Sequence, residues 1–210
     1  MNKLLITSLA LSLGFLNYAQ NGKALQQFNV QLGKNFSSFL YSNDAGEKDT
    51  NLSYRTGNQY LLGIGILLGS RQLIRPEIIY SEAGAKSSLQ TKEINWKLNY
   101  LGVGVNYFFE VLSKSSFSFS PGVRIGCDYL LKGEQTMGDE RYNIKTNDAL
   151  KVWNMNVGVC LNTRFKITES LFLTAEYRFN TGLIQIEKKD EGEKTRNISH
   201  STLLGLSFKL

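Results

Sequence analysis

The chain has 210 residues, 42% hydrophobic and 20% charged, with 19 Gly and 2 Pro, enough for one β-barrel or one α/β domain and too apolar for a disordered linker. Two cysteines exclude a disulfide scaffold, one histidine excludes a His-rich metal centre, and no apolar run reaches the roughly 18 residues of a membrane helix. The formal charge of +6 arises from 24 Lys and Arg interspersed with 18 Asp and Glu, not from basic blocks, so nothing favours nucleic acid as a partner.

Chain order begins with Met1-Asn2-Lys3, an apolar stretch from Leu4 to Leu16, and Asn17-Tyr18-Ala19 ahead of Gln20. A basic start, an apolar core too short to span a bilayer and a small residue at its end predict a secretory signal peptide over 1–19, cleaved after Ala19. The domain that follows is expected over 20–210. No Cys follows the apolar core, which argues against a lipid anchor.

From Gln26 onward the dominant period is two, the geometry of strands with one apolar and one polar face. Phe28, Val30 and Leu32 mark the first strand, Leu62, Ile64, Ile66 and Leu68 the second, and Ile74, Pro76, Ile78 and Tyr80 the third. Leu101, Val103, Val105, Tyr107 and Phe109 mark the fourth, and Phe117, Phe119, Val123, Ile125, Cys127, Tyr129 and Leu131 the fifth. Three more follow on Trp153 to Phe165, Leu171 to Phe179 and Ile198 to Leu210.

The connections alternate in character. Gly69–Gln72, Glu110–Ser115 and Ile167–Ser170 are short, whereas Tyr41–Gln59, Gly84–Asn95, Gly133–Ala149 and Lys188–Thr195 read as long polar loops. Eight strands with short turns on one rim and long loops on the other predict an all-β fold, an eight-stranded antiparallel up-and-down transmembrane β-barrel.

Alternation alone does not say whether the apolar face meets lipid or a soluble core; the opposite face decides. Gly63, Gly65, Gly102, Gly104, Gly122, Gly126 and Gly158 interleave there with Arg75, Glu77, Arg124, Asp128, Arg164, Glu176 and Arg178. On a water-facing surface that much glycine only weakens strands, whereas inside a narrow barrel it makes room for long charged side chains that neutralise one another. The aromatics Tyr80, Tyr107, Phe109, Phe117, Tyr129, Trp153, Phe179 and Phe208 suit the two membrane interfaces.

The runs LIRPEIIYSEAGA, NWKLNYLGVGVNYFFE, LFLTAEYRFNTGL and LLGLSFKL resemble the PorT-like outer-membrane β-barrel proteins abundant in Bacteroidetes-type bacteria. The resemblance covers about Phe28 to Leu210 and implies fold and location, not a secretion role. Many relatives have a proline after the Tyr-Leu pair, where this chain reads Tyr100-Leu101-Gly102; Leu210 stands where barrel-assembly signals usually have an aromatic, a part left to Phe208.

The seven interior charges, Arg75, Glu77, Arg124, Asp128, Arg164, Glu176 and Arg178, are read as a salt-bridged network closing the lumen, with a narrow pore as the alternative. His200 shares its strand face with Thr202 and not with Ser199 or Ser201, so the His and Ser pairing of outer-membrane lipid A deacylases is not met. Cys127 and Cys160 fall on opposite faces, which excludes a disulfide. No catalytic residue, cofactor site or metal site is expected. The expected surroundings are outer-membrane lipid and lipopolysaccharide, with the barrel-assembly machinery engaged during insertion, and the protein is expected to be a monomer. The charged stretches Asn43–Asn51, Lys132–Lys145 and Glu187–Arg196 read first as solvated loops, with binding of a protein partner or of lipopolysaccharide phosphates as the functional alternative.

Overall fold

The computed structural model describes residues 26–42, 51–89, 92–145, 150–187 and 194–210. Ten strands form in chain order: β1 (Gln26–Ser42), β2 (Leu52–Leu67), β3 (Gln72–Leu89), β4 (Lys92–Phe109), β5 (Leu112–Lys114), β6 (Phe117–Met137), β7 (Glu140–Asn143), β8 (Trp153–Lys166), β9 (Leu171–Gly182) and β10 (Lys194–Lys209). Every neighbouring pair is antiparallel, β1 closes on β10, and β4 closes on β6. β5 and β7 are short ribbons attached to β6. The wall is therefore a closed eight-stranded barrel, the arrangement that leaves no unpaired edge in lipid. The stretch 1–19 lies outside the described residues.

The period-two pattern sets the two faces. Leu32, Val103 and Leu204 point outward and are 61%, 60% and 60% exposed, while Arg75 and Arg178 are 1% and 0% exposed. This inverts the distribution of a water-soluble protein, in which charged side chains are almost never fully buried. An outer band of unshielded Val, Ile, Leu and Phe of this extent places the wall in hydrocarbon.

Aromatic side chains border the band on both sides. Phe117 and Phe165 stack at 5.1 Å at the rim bearing the short turns, while Tyr60 and Tyr80, and Tyr129 and Trp153, pair at 6.1 and 4.9 Å on the other side. The short-turn rim also holds Gln26 and Lys209. Its turns are tied together, Glu110 N–H donating to Arg71 O and Lys209 N–H to Ser170 O. In outer-membrane barrels that rim faces the periplasm.

The opposite rim differs from the sequence expectation. Gly84–Asn95 is not a long loop: β3 and β4 stay in register from Gln72↔Phe109 to Leu89↔Lys92, leaving 90–91 as the connection. Likewise β6 runs on to Met137 and turns into β7. At about 3.3 Å per residue an 18-residue strand such as β3 is about 60 Å long, well beyond the roughly 9–11 tilted residues that cross the hydrocarbon. The wall thus continues outside the membrane.

Where it does so, its polarity reverses. Phe39, Ala83, Ala85, Leu98, Tyr100 and Leu130 turn inward and form a buried apolar cluster with Ile144, Leu150 and Ile186, while Lys86, Lys97, Lys132 and Arg196 are exposed. The alternation itself does not change on β3 and β4, where Ala83 and Ala85 share the inward face of Arg75 and Glu77, and Leu98 and Tyr100 that of Asn106, so the residue types change and not the faces. Register shifts between Tyr54 and Gln59 on β2 and at Asn99/Tyr100 against β6 each place an extra residue in one strand, as a β-bulge does.

Candidate functional site: the barrel lumen

At mid-membrane the lumen is filled by interlocked ion pairs. Arg178, on β9, reaches across to Glu77 on β3 with Nη1 and Nη2 at 2.7 and 2.8 Å from the two carboxylate oxygens, and its Nε donates to Glu176 at 2.6 Å. Arg75 Nη2 lies 2.8 Å from both oxygens of Glu176 and 3.4 Å from Glu77. Arg124 Nε donates to Glu77 at 3.0 Å. The fork shape of the guanidinium is what allows each arginine to serve two acceptors.

The cluster is held by uncharged neighbours. Asn162 Nδ2 donates to Glu176 at 2.9 Å, the Arg75 guanidinium lies 4.8 Å above the Phe108 ring, and Asn106 Nδ2 donates to the Arg75 carbonyl. Glycine supplies the room, since a β-carbon at Gly104 would lie 2.8 Å from Arg124 Nη2 and one at Gly126 2.6 Å from its Nη1. Cys160 faces this interior and Cys127 the other side, and both are free thiols.

Two of the seven expected residues stand apart. Arg164 does not join the central cluster: it lies toward the periplasmic rim, bonded to Glu110 at 2.6 Å, Gln27 at 3.1 Å and Ser118 at 3.1 Å. Its place on β8 is several residues nearer the rim than Asn156, the β8 residue that does reach the cluster. Asp128 forms no salt bridge among the described residues. It meets the cluster through Asn156, whose amide donates to Asp128 at 2.6 Å while its oxygen accepts from Arg124. Glu110, read from sequence as a turn residue, is the partner that the spacing did not reveal.

The lumen is thus layered. The Arg164–Glu110 group lies below, the five-residue cluster at the centre and the apolar cluster of Leu98, Tyr100 and Leu130 above. One side of the central level is apolar instead, with Leu61, Ile79 and Leu203 packed together.

On the outer wall, His200 sits among aromatics. Its Nδ1 is 2.6 Å from the Tyr177 hydroxyl and its Nε2 3.3 Å from the Tyr54 hydroxyl, while Ser201 is buried on the lumen side. Both ring nitrogens are therefore engaged away from any serine. Among the described residues no group of three or more His, Cys, Asp or Glu is arranged to hold a metal.

No protein-family model and no curated protein matches the chain. Solved structures do. Neisserial surface protein A is 17% identical at a TM-score of 0.50, over 87% of this chain and 97% of that one. The outer membrane protease OmpT from Escherichia coli is 11% identical at 0.53, over 89% and 97%. A major outer membrane protein from Thermus thermophilus is 9% identical at 0.50, over 88% and 99%. The fold is that of an outer-membrane β-barrel. At these identities the likeness concerns the fold alone, and the barrel's chemistry must be read from its own lumen and rims.

Proposed function

We propose that this protein is an integral outer-membrane barrel with a sealed polar lumen that acts through its extracellular face as a structural or interaction protein, and is neither a pore nor an enzyme. The observation that carries this reading is the stack of layers across the bore. Charged side chains that lined an open channel would be solvated, whereas Glu77, Glu176 and Arg178 have no exposed side-chain surface and saturate one another. An eight-stranded barrel is only wide enough for its own side chains.

The extracellular extension supports the interaction role. Strands that run past the hydrocarbon around an apolar core of their own form a firm platform for the charged connections, and rigid presentation lowers the entropic cost of binding. The likeness of several strand sequences to PorT-like barrels fits the same reading. Phe208, outward-facing opposite Phe28 at the periplasmic end, is suited to the part expected of it in barrel assembly. Lipopolysaccharide is the lipid such a wall meets in the outer leaflet, and a protein partner would engage the platform.

Planar-bilayer recording tests the reading. The refolded barrel is expected to show no discrete conductance steps; steady openings would establish the narrow pore instead.

A further inference from the structure

Between the central ion cluster and the apolar cluster lies a cavity of about 40 Å³, lined by Asn35, Gln59, Tyr100, Asp128, Asn154 and Asn180 among others. Four oxygens on its lining residues, Asn35 Oδ1, Gln59 Oε1, Asn154 Oδ1 and Asn180 Oδ1, have no donor among the described residues. Asn35, Gln59 and Asn154 are 3%, 5% and 4% exposed, so bulk solvent does not satisfy them. The amide orientation is fixed at Asn35, whose nitrogen is committed to the Glu82 carbonyl at 2.9 Å, and at Asn154, whose side chain bonds to Asp128. A buried amide oxygen without a donor is costly, and four on the residues around one cavity mark a site that takes a donor-rich occupant.

Charge decides which kind. At membrane depth the lumen carries Arg75, Arg124, Arg164 and Arg178 against Glu77, Glu110, Asp128 and Glu176, which balance without remainder. An alkali cation or an ammonium group would add a buried charge with no counterpart, whereas a neutral donor adds none. At roughly 10–15 Å³ per probe-sized water the cavity has room for about three.

We infer that this chamber is a hydration site, in which a small cluster of ordered waters donates to Asn35, Gln59, Asn154 and Asn180 and bridges them to the Asp128 carboxylate. The waters extend the polar layer from the ion cluster up to the apolar cluster, so the inference rests on the sealed-lumen reading and adds a bound component to it. Three donor-rich molecules between asparagines satisfy the lumen where no side chain reaches.

A high-resolution crystal structure of the refolded, unmodified barrel tests this. Ordered waters are expected within hydrogen-bond distance of at least three of the four oxygens, and a chamber without density overturns the inference. Growth of the crystals in rubidium chloride adds a second reading: no anomalous peak is expected in the chamber, and a peak there means a cation site instead. The thermal midpoint of the barrel in detergent should be the same in sodium, potassium and N-methylglucamine chlorides at equal ionic strength, and a rise with one alkali ion overturns the assignment. In Asn180→Leu at least one water should be displaced while those at Asn35 and Gln59 persist; an unchanged water pattern would mean that Asn180 holds none. Single-channel openings with the waters in place would defeat the sealed-lumen reading alone, and a dry chamber without openings would defeat the hydration site alone.

Discussion

Glu176 shows how tightly single residues are bound into the lumen. Its side chain has no exposed surface and accepts from Arg75, Arg178 and Asn162. Removing one partner of a buried ion pair strands the other, at a typical cost of about 3–5 kcal/mol, so Glu176→Ala should lower the unfolding free energy of the folded barrel by that order. Urea titration in lipid vesicles measures it; unchanged stability with a new conductance would mean that water already solvates these charges. Ser201 is the contrasting case. It is fully buried, and its hydroxyl finds no partner among the described residues. Loss of an unsatisfied polar group can be neutral or stabilising, so Ser201→Ala should leave the same titration within about 0.5 kcal/mol of the parent or above it.

At the level of strands, the two faces of β6 differ in what they tolerate. Ile125 is 52% exposed toward lipid, and an arginine there near the midplane should cost about 2–4 kcal/mol, falling toward zero for the same change near either rim. The lumen face of the same strand is less permissive than its small residues suggest, because a β-carbon at Gly126 meets the Arg124 guanidinium that is already engaged by Glu77 and Asn156. Gly126→Ser is therefore expected to destabilise measurably in the same assay, and an unperturbed midpoint would show that Arg124 can swing aside. Gly84 on β3 is held harder still: its φ is +136°, and a β-carbon there would lie 1.9 Å from the Trp96 carbonyl oxygen. Since the neighbour is backbone, Gly84→Ala should loosen the β3–β4 hairpin beyond the membrane, seen as faster amide exchange over Lys97–Leu98 with Ile78 and Val103 unaffected.

These strands also show what the sequence made legible. Within the hydrocarbon, apolar-out alternation was unbroken, so the faces of β4, β6, β8 and β9 could be assigned residue by residue. Above it, the reversal of polarity made Gly84–Asn95 read as a loop, although β3 and β4 pair continuously up to Leu89↔Lys92. The charge cluster was legible as a set but not as a wiring. The register of β6 and β8 sets Asn156, an uncharged residue, opposite Gly126 and so between Arg124 and Asp128, while Arg164, opposite Ser118, reaches Glu110 at the rim. Cross-strand stagger is fixed by shear, which one sequence does not state.

For the molecule as a whole, the sealed-lumen proposal implies closure in series. Conduction would require passage through the Arg164–Glu110 level, the five-residue cluster and the apolar cluster of Leu98, Tyr100 and Leu130, and a gap in one layer leaves the others in place. A lesion in a single layer should therefore appear in stability and not in current. Leu98 is fully buried in the uppermost layer, where Leu→Ala typically costs about 2–5 kcal/mol through lost transfer energy and the cavity left behind. Leu98→Ala is expected to destabilise the extracellular half and still record no openings in a planar bilayer, because the ion cluster beneath it is untouched. Openings in Leu98→Ala alone would place the seal in the apolar layer and leave the charged residues as the lining of a pore.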